Sequence, residues 1–208
     1  LCRLDFNSGQ VKVLINESTY PHLNEQLFTV KILNNDKDIL FWSERTGYGQ
    51  YYLYDNTGKL LNKIGPKGNY IVSKIDELDT TKRELFLEVY GYSKGVNPYY
   101  KQYLKAFLDN EKGILLTPEP SDNQIVFSTD KKYILNTYST SNTPNTYAIR
   151  TVNGRLISTI GQANMEKLKA TGWSAPEQIQ LTAADDSTVL YGLLYKPSDF
   201  DPNKKYPV

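Results

Sequence analysis

Few residues of this chain have the types and spacing that chemistry requires, and most of them fail a simple test. Gly172-Trp173-Ser174-Ala175-Pro176 has the outline of the G-x-S-x-G nucleophile elbow, in which a serine on a strained strand-to-helix turn attacks a carbonyl. That elbow needs glycine two residues after the serine so that a helix can pack closely on the turn, and Pro176 stands there. Neither a strand before it nor a helix after it is predicted, and no histidine follows His22 to act as base. Ser174 is therefore not expected to be a nucleophile, His22 has no partner, and no residue of the chain is expected to be catalytic.

The remaining candidates each have a plainer reading. Asp185-Asp186 could share a proton or hold a metal, but a carboxylate pair at a hairpin tip points to turn chemistry. Glu44-Arg45, in FWSERTGYGQYYLYD, falls at a turn between two strands and reads as a surface ion pair closing that turn. Its functional alternative is a polar contact to a substrate or a neighbouring domain. Tyr51, Tyr52, Tyr54, Tyr99, Tyr100 and Tyr103 could form an aromatic platform, but alternation puts them on both faces of their strands, so core packing is expected. Asn16-Glu17-Ser18 is a lone glycosylation sequon. One cysteine, Cys2, and one histidine exclude a disulfide framework and a Cys/His zinc site, so no cofactor or metal is expected. Substrate-binding residues are left unassigned.

The elements that must position these residues are strands. The 208 residues carry a formal net charge of +1 and are 39% hydrophobic, enough for one or two modest domains with a real core. Positive and negative side chains are interspersed, with no basic stripe for a phosphate backbone, so nucleic acid is excluded as a partner. The longest uninterrupted apolar run, Ile39 to Trp42, is four residues against the roughly 20 needed to span a bilayer. Seventeen tyrosines and 13 glycines beside a single methionine mark a β protein. No targeting signal is visible at Leu1-Cys2-Arg3.

An internal repeat organises the chain. A turn glycine follows a short β-rich run at Gly9, Gly58, Gly113 and Gly154, with gaps of 49, 55 and 41 residues. In step with it, a polar turn precedes an apolar strand in NNDKDILFWS, DTTKRELFLEVY and STDKKYILNTY. Each unit reads as four short strands, which is the blade of a β-propeller. Three complete blades are expected at about 23–66, 67–119 and 120–162, after an outer hairpin of an earlier blade in residues 1–20. Such a chain is an arc, completed either by upstream sequence or by copies meeting at their open edges. Residues 163–170 predict one short helix, and EQIQLTAADDSTVLYGLLY a β-hairpin, before a proline-rich end at which Pro207-Val208 starts another strand. The expected organisation is thus blades over 1–162 and a linker with a hairpin over 163–208.

The stretches FWSERTGYGQYYLYDNTG, KGNYIVSKIDELD, ELFLEVYGYSKGVNPYYKQYLKAFLD and STDKKYILNTYSTSNTPNTYAI, in this order, resemble the propeller of dipeptidyl peptidase IV-type members of the prolyl oligopeptidase family. VLYGLLYKPSDFDPNKKYPV is similar to the segment that leads from that propeller into an α/β-hydrolase domain. The resemblance implies an all-β fold of about three and a half blades from a ring of about eight. It also implies a serine exopeptidase that removes N-terminal dipeptides, whose propeller gates and orients peptide substrates. The triad and oxyanion tyrosine of that family fall in the hydrolase domain, and its amine-holding glutamates fall in an earlier blade, so none transfers to a residue here. Further implications are a periplasmic or secreted location and a possible homodimer. The alternative is a non-catalytic propeller module that binds a protein or a glycan.

Overall fold

A computed structural model describes residues 1–18, 20 and 22–207. The chain opens with a hairpin of β1 (Cys2–Leu4) and β2 (Val11–Val13). Three four-stranded antiparallel meanders follow, each with its strands in sequence order. The first holds β3 (Val30–Leu33), β4 (Asp38–Ser43), β5 (Gln50–Asp55) and β6 (Leu60–Lys63). The second holds β7 (Ile71–Asp79), β8 (Glu84–Tyr90), β9 (Lys101–Phe107) and β10 (Asn110–Leu115). The third holds β11 (Asp122–Phe127), β12 (Tyr133–Thr140), β13 (Thr143–Thr151) and β14 (Leu156–Gln162). A single helical turn, α1 (Glu166–Lys169), leads to a second hairpin of β15 (Glu177–Thr182) and β16 (Val189–Leu194). The all-β arc of blades expected from the sequence is therefore what the chain forms. Pro207 lies outside any strand, and Val208 lies outside the described residues.

The polar repeat marks the turn between the first two strands of each blade. Asp36, Arg83 and Lys131 occupy these turns with φ of 64°, 57° and 56°, a left-handed conformation that Asp reaches at low cost and that Arg83 and Lys131 adopt because the turn imposes it. The glycine repeat holds for three positions out of four. Gly9, Gly58 and Gly154 have φ of +70°, +89° and +81°, and a Cβ on Gly58 would meet the Leu14 carbonyl oxygen at 2.2 Å. Gly113 departs from the expectation. It lies inside β10, just past a register shift, where a Cβ would meet Pro66 Cδ at 2.7 Å, so close packing of the preceding blade's exit explains it.

Blade 1 is covered on both sides, which explains why DILFWS reads as a continuous run instead of an alternation. Every residue of β4 is buried. One face gives Leu40 and Trp42, which pack with Tyr51 and Leu53 against Leu85, Leu87, Val89, Leu104 and Ala106 of blade 2. The other face gives Ile39 and Phe41, which pack with Tyr52, Tyr54 and Ile15. Between blades 2 and 3 the apolar cluster is smaller, built on Phe86, Tyr103, Leu116 and Ile134.

Candidate functional site

An antiparallel meander sends its second-to-third turns and its blade-to-blade connections to the same end of the sheets. In this chain that end carries the turns at 44–49, 91–100 and 141–142 together with the connections at 64–70 and 116–121. The C-terminal hairpin docks here. Gln178 at the start of β15 donates from Nε2 to the Tyr100 hydroxyl at 2.6 Å and to Ser141 Oγ at 3.0 Å, so one amide touches blades 2 and 3 together. The Tyr99 ring meets Tyr191 of β16 edge-on, with centroids 6.2 Å apart. The tyrosine expectation thus divides. Tyr51, Tyr52, Tyr54 and Tyr103 are core residues, whereas Tyr99 is 62% exposed and Tyr100 is only partly covered. Tyr99 and Tyr100 belong to a loop and not to a strand, so alternation does not govern them.

At the blade 1 turn, Glu44 and Arg45 do not pair with each other. Arg45 reaches Glu17 at 2.6 Å, donates from Nε to Ser43 Oγ at 2.9 Å, and lies 4.2 Å over the Tyr52 ring. Glu44 accepts from the Asn24 backbone amide at 3.1 Å. The partner of Arg45 is 28 residues away in sequence, which is why the local dipeptide misled. Glu17, the middle residue of the sequon, also edges an apolar hollow of about 300 Å³ with Ile15, Phe28 and Phe41. His22 lines a neighbouring polar hollow of about 560 Å³ with Asn24, Glu25 and Glu44.

The seam between blades 2 and 3 holds a polar cluster that no sequence pattern announced. Glu88, 8% exposed, accepts from Ser73 Oγ at 2.7 Å and from the Tyr103 hydroxyl at 3.2 Å, with Lys74 Nζ at 3.5 Å. Burial, reinforced by the Glu88 charge, pushes the neighbouring Tyr90 phenol up to about 12. Further along, buried Lys105 binds Glu84 at 2.8 Å and Asn153 Oδ1 at 3.0 Å, and Lys131 reaches back to Glu77 at 2.7 Å. These residues come from several strands and turns, and only the packing of two blades shows that they share one seam.

Ser174 sits in the exposed segment between α1 and β15, with no strand before it and no helix after it. It borders an open cleft of about 800 Å³ with Pro144, Gln162, Met165 and Trp173. Asp185 caps the hairpin tip, its carboxylate accepting from the Ser187 and Thr188 amides, and the Thr188 contacts hold its pKa down at about 2. Among the described residues, no group of three or more His, Cys, Asp or Glu side chains is arranged to hold a metal ion. Nor is any helix among them long and apolar enough to cross a membrane.

Successive four-stranded sheets joined by short connections, with a following segment latched to their turn end, define an arc of a β-propeller. Residues 1–145 match the family described as Dipeptidyl peptidase IV (DPP IV) N-terminal region, and the chain belongs to that family. The fold is similar to the crystal structure of Porphyromonas gingivalis dipeptidyl peptidase 4, with TM-score 0.70, 21% identity, and coverage of 99% of this chain and 29% of that one. It is equally similar to a putative dipeptidyl aminopeptidase IV from Bacteroides ovatus, with TM-score 0.70, 23% identity, and coverage of 99% and 31%. The chain thus spans about three tenths of the length of these solved structures.

Proposed function

We propose that this chain supplies propeller blades to a serine-type dipeptidyl peptidase, with residues 1–162 as blades and 163–208 as the passage into an α/β-hydrolase catalytic domain. The observation that carries this reading is the double contact of Gln178 with Tyr100 and Ser141, which fastens the segment after the blades to their turn end. A domain continuing from β16 would then lie over the turns at 44–49, 91–100 and 141–142, and the blades would wall its active site. Walling off a site excludes folded proteins, keeps competing water out and orients a peptide terminus before acyl transfer. Catalysis itself needs a nucleophile, a base and oxyanion donors, and these would come from the hydrolase domain. The enzyme would act in the periplasm or outside the cell. A Gly-Pro chromogenic dipeptide, offered to the full-length parent and to these 208 residues side by side, tests this. Turnover by the parent alone is expected. Silence from the parent would remove the peptidase reading, and turnover by the short chain would return Ser174 to consideration.

A further inference from the structure

Asn153-Gly154 is the only Asn-Gly dipeptide in the chain, and it forms the turn between β13 and β14. We propose that Asn153 is a spontaneous modification site, at which loss of the side-chain amide places a new carboxylate on the seam between blades 2 and 3.

The step needs no enzyme and no oxidant. The Gly154 backbone nitrogen, having lost its proton to hydroxide, attacks Cγ of Asn153. A Cγ–N bond forms, the Cγ–Nδ2 bond breaks, and the amide nitrogen leaves as ammonia after taking a proton from water. Water then opens the cyclic imide at either carbonyl, giving aspartate from one opening and isoaspartate from the other.

Three features of the site favour this reaction. Glycine leaves the attacking nitrogen unshielded by a side chain. The Asn153 side chain is exposed, and among the described residues its Nδ2 makes no hydrogen bond, so the leaving group is free to depart. Its Oδ1 accepts from the Lys105 ammonium at 3.0 Å, which withdraws electrons from Cγ and stabilises the charge that develops on that oxygen during attack. At Asn7-Ser8, in the exposed first hairpin, no cation hydrogen-bonds the Asn7 side chain among the described residues.

Hydrogen bonds of the turn restrain it. The Gly154 amide donates to the Thr151 carbonyl at 2.9 Å and must be released before attack, while the Thr151 amide on the Arg155 carbonyl at 2.9 Å and Arg150 Nη1 on the Gly154 carbonyl at 2.9 Å hold the turn closed. Opening is local, because every residue of β14 is exposed and its pairing with β13 shifts register twice. The product has a ready partner. Lys105 already pairs with Glu84 at 2.8 Å, and a carboxylate at position 153 would make it the centre of a three-membered ion cluster between the blades. Isoaspartate adds a methylene to the turn backbone and would lift Gly154 off Leu115, whose carbonyl oxygen would lie only 2.8 Å from a Cβ on that glycine.

The test is a peptide map of the folded chain aged in mildly alkaline buffer. Trypsin cuts after Arg150 and Arg155 and releases TVNGR. TVNGR is expected to gain the mass of an amide-to-acid exchange, and to split into two isomers, before any other asparagine peptide changes. Lys105→Gln is expected to slow the conversion several-fold, and Asn153→Asp to unfold at a higher temperature than the wild type in low salt but not in high salt. An unmodified TVNGR beside a converted Asn7 peptide would overturn the proposal. A Lys105→Gln rate equal to the wild type would overturn the role of the ammonium. The wild-type map decides the site by itself, with no variant required to fold.

Discussion

The Tyr103 hydroxyl donates to Oε2 of Glu88 at 3.2 Å, and the two residues are direct partners across β8 and β9. This cross-strand pair faces blade 3, while their neighbours Leu87 and Leu104 face blade 1. Blade 2 therefore presents a broad apolar face to one neighbour, and to the other a smaller apolar patch with a hydrogen-bonded carboxylate beside it. The second arrangement is the more conditional of the two, because a buried carboxylate is tolerated only while its donors remain.

Tyr103→Phe removes one donor and leaves the ring in place. Glu88 keeps Ser73 and Lys74, so the expected loss is about 1–2 kcal/mol in chemical denaturation, the cost of an under-satisfied buried group. Glu88→Gln, which replaces the charge and keeps an acceptor, is expected to lose less. Equal stability of Tyr103→Phe and wild type would mean that the pair contributes nothing.

Alkali should open the same seam. Tyr90 has a folded-state pKa of about 12, above the ordinary 10.0, with burial as the first cause and Glu88 as the second. A raised folded value favours the neutral phenol in the native state. Its contribution to stability is complete below pH 10.0 and is lost as pH rises through about 12. Thermal unfolding followed across that window should fall steeply for the wild type and less steeply for Tyr90→Phe. Parallel curves would exclude Tyr90 as a cause.

Trp42 fixes the other seam. It is fully buried, donates from Nε1 to the Val72 carbonyl at 2.9 Å across the blade boundary, and occupies the space a Cβ at Gly49 would need, at 2.0 Å from Cζ2. Trp42→Phe should cost roughly 2–4 kcal/mol from lost volume and an unpaired carbonyl. Gly49→Ala should cost a comparable amount by displacing the indole. Denaturant midpoints of both variants within experimental error of the wild type would show that the seam repacks freely.

How much of this could be read from residue order follows from range. The blade strands, the first hairpin and the second hairpin were legible because each is a local pattern, a short apolar run such as DILFWS or an alternation, bounded by turn residues such as Asp36 and Gly154. The contacts at the candidate site were not, because they join residues far apart in sequence. Arg45 chose Glu17 over the adjacent Glu44, Lys105 met Asn153 across 48 positions, and Tyr100 met Gln178 across 78. Gly113 departs from the turn pattern for a related reason, since the pressure on it comes from Pro66 of the preceding connection and not from a turn of its own.

The latch at Gln178 gives the last expectation. Its two hydrogen bonds are exposed, so each contributes about 0.5–1.5 kcal/mol, enough to bias the hairpin toward the blades and too little to lock it. Gln178→Ala removes both, while Tyr100→Phe removes the shorter one and keeps the aromatic contact area. Amide hydrogen exchange over 177–194 should rise several-fold in Gln178→Ala and less in Tyr100→Phe, with the amides of β4, β5 and β8 unchanged. That pattern separates loss of docking from loss of the fold, since a global effect would speed the blade strands as well. Unchanged exchange in the hairpin of Gln178→Ala would mean that the turn end of the blades holds the following segment by other contacts, Tyr99 against Tyr191 first among them.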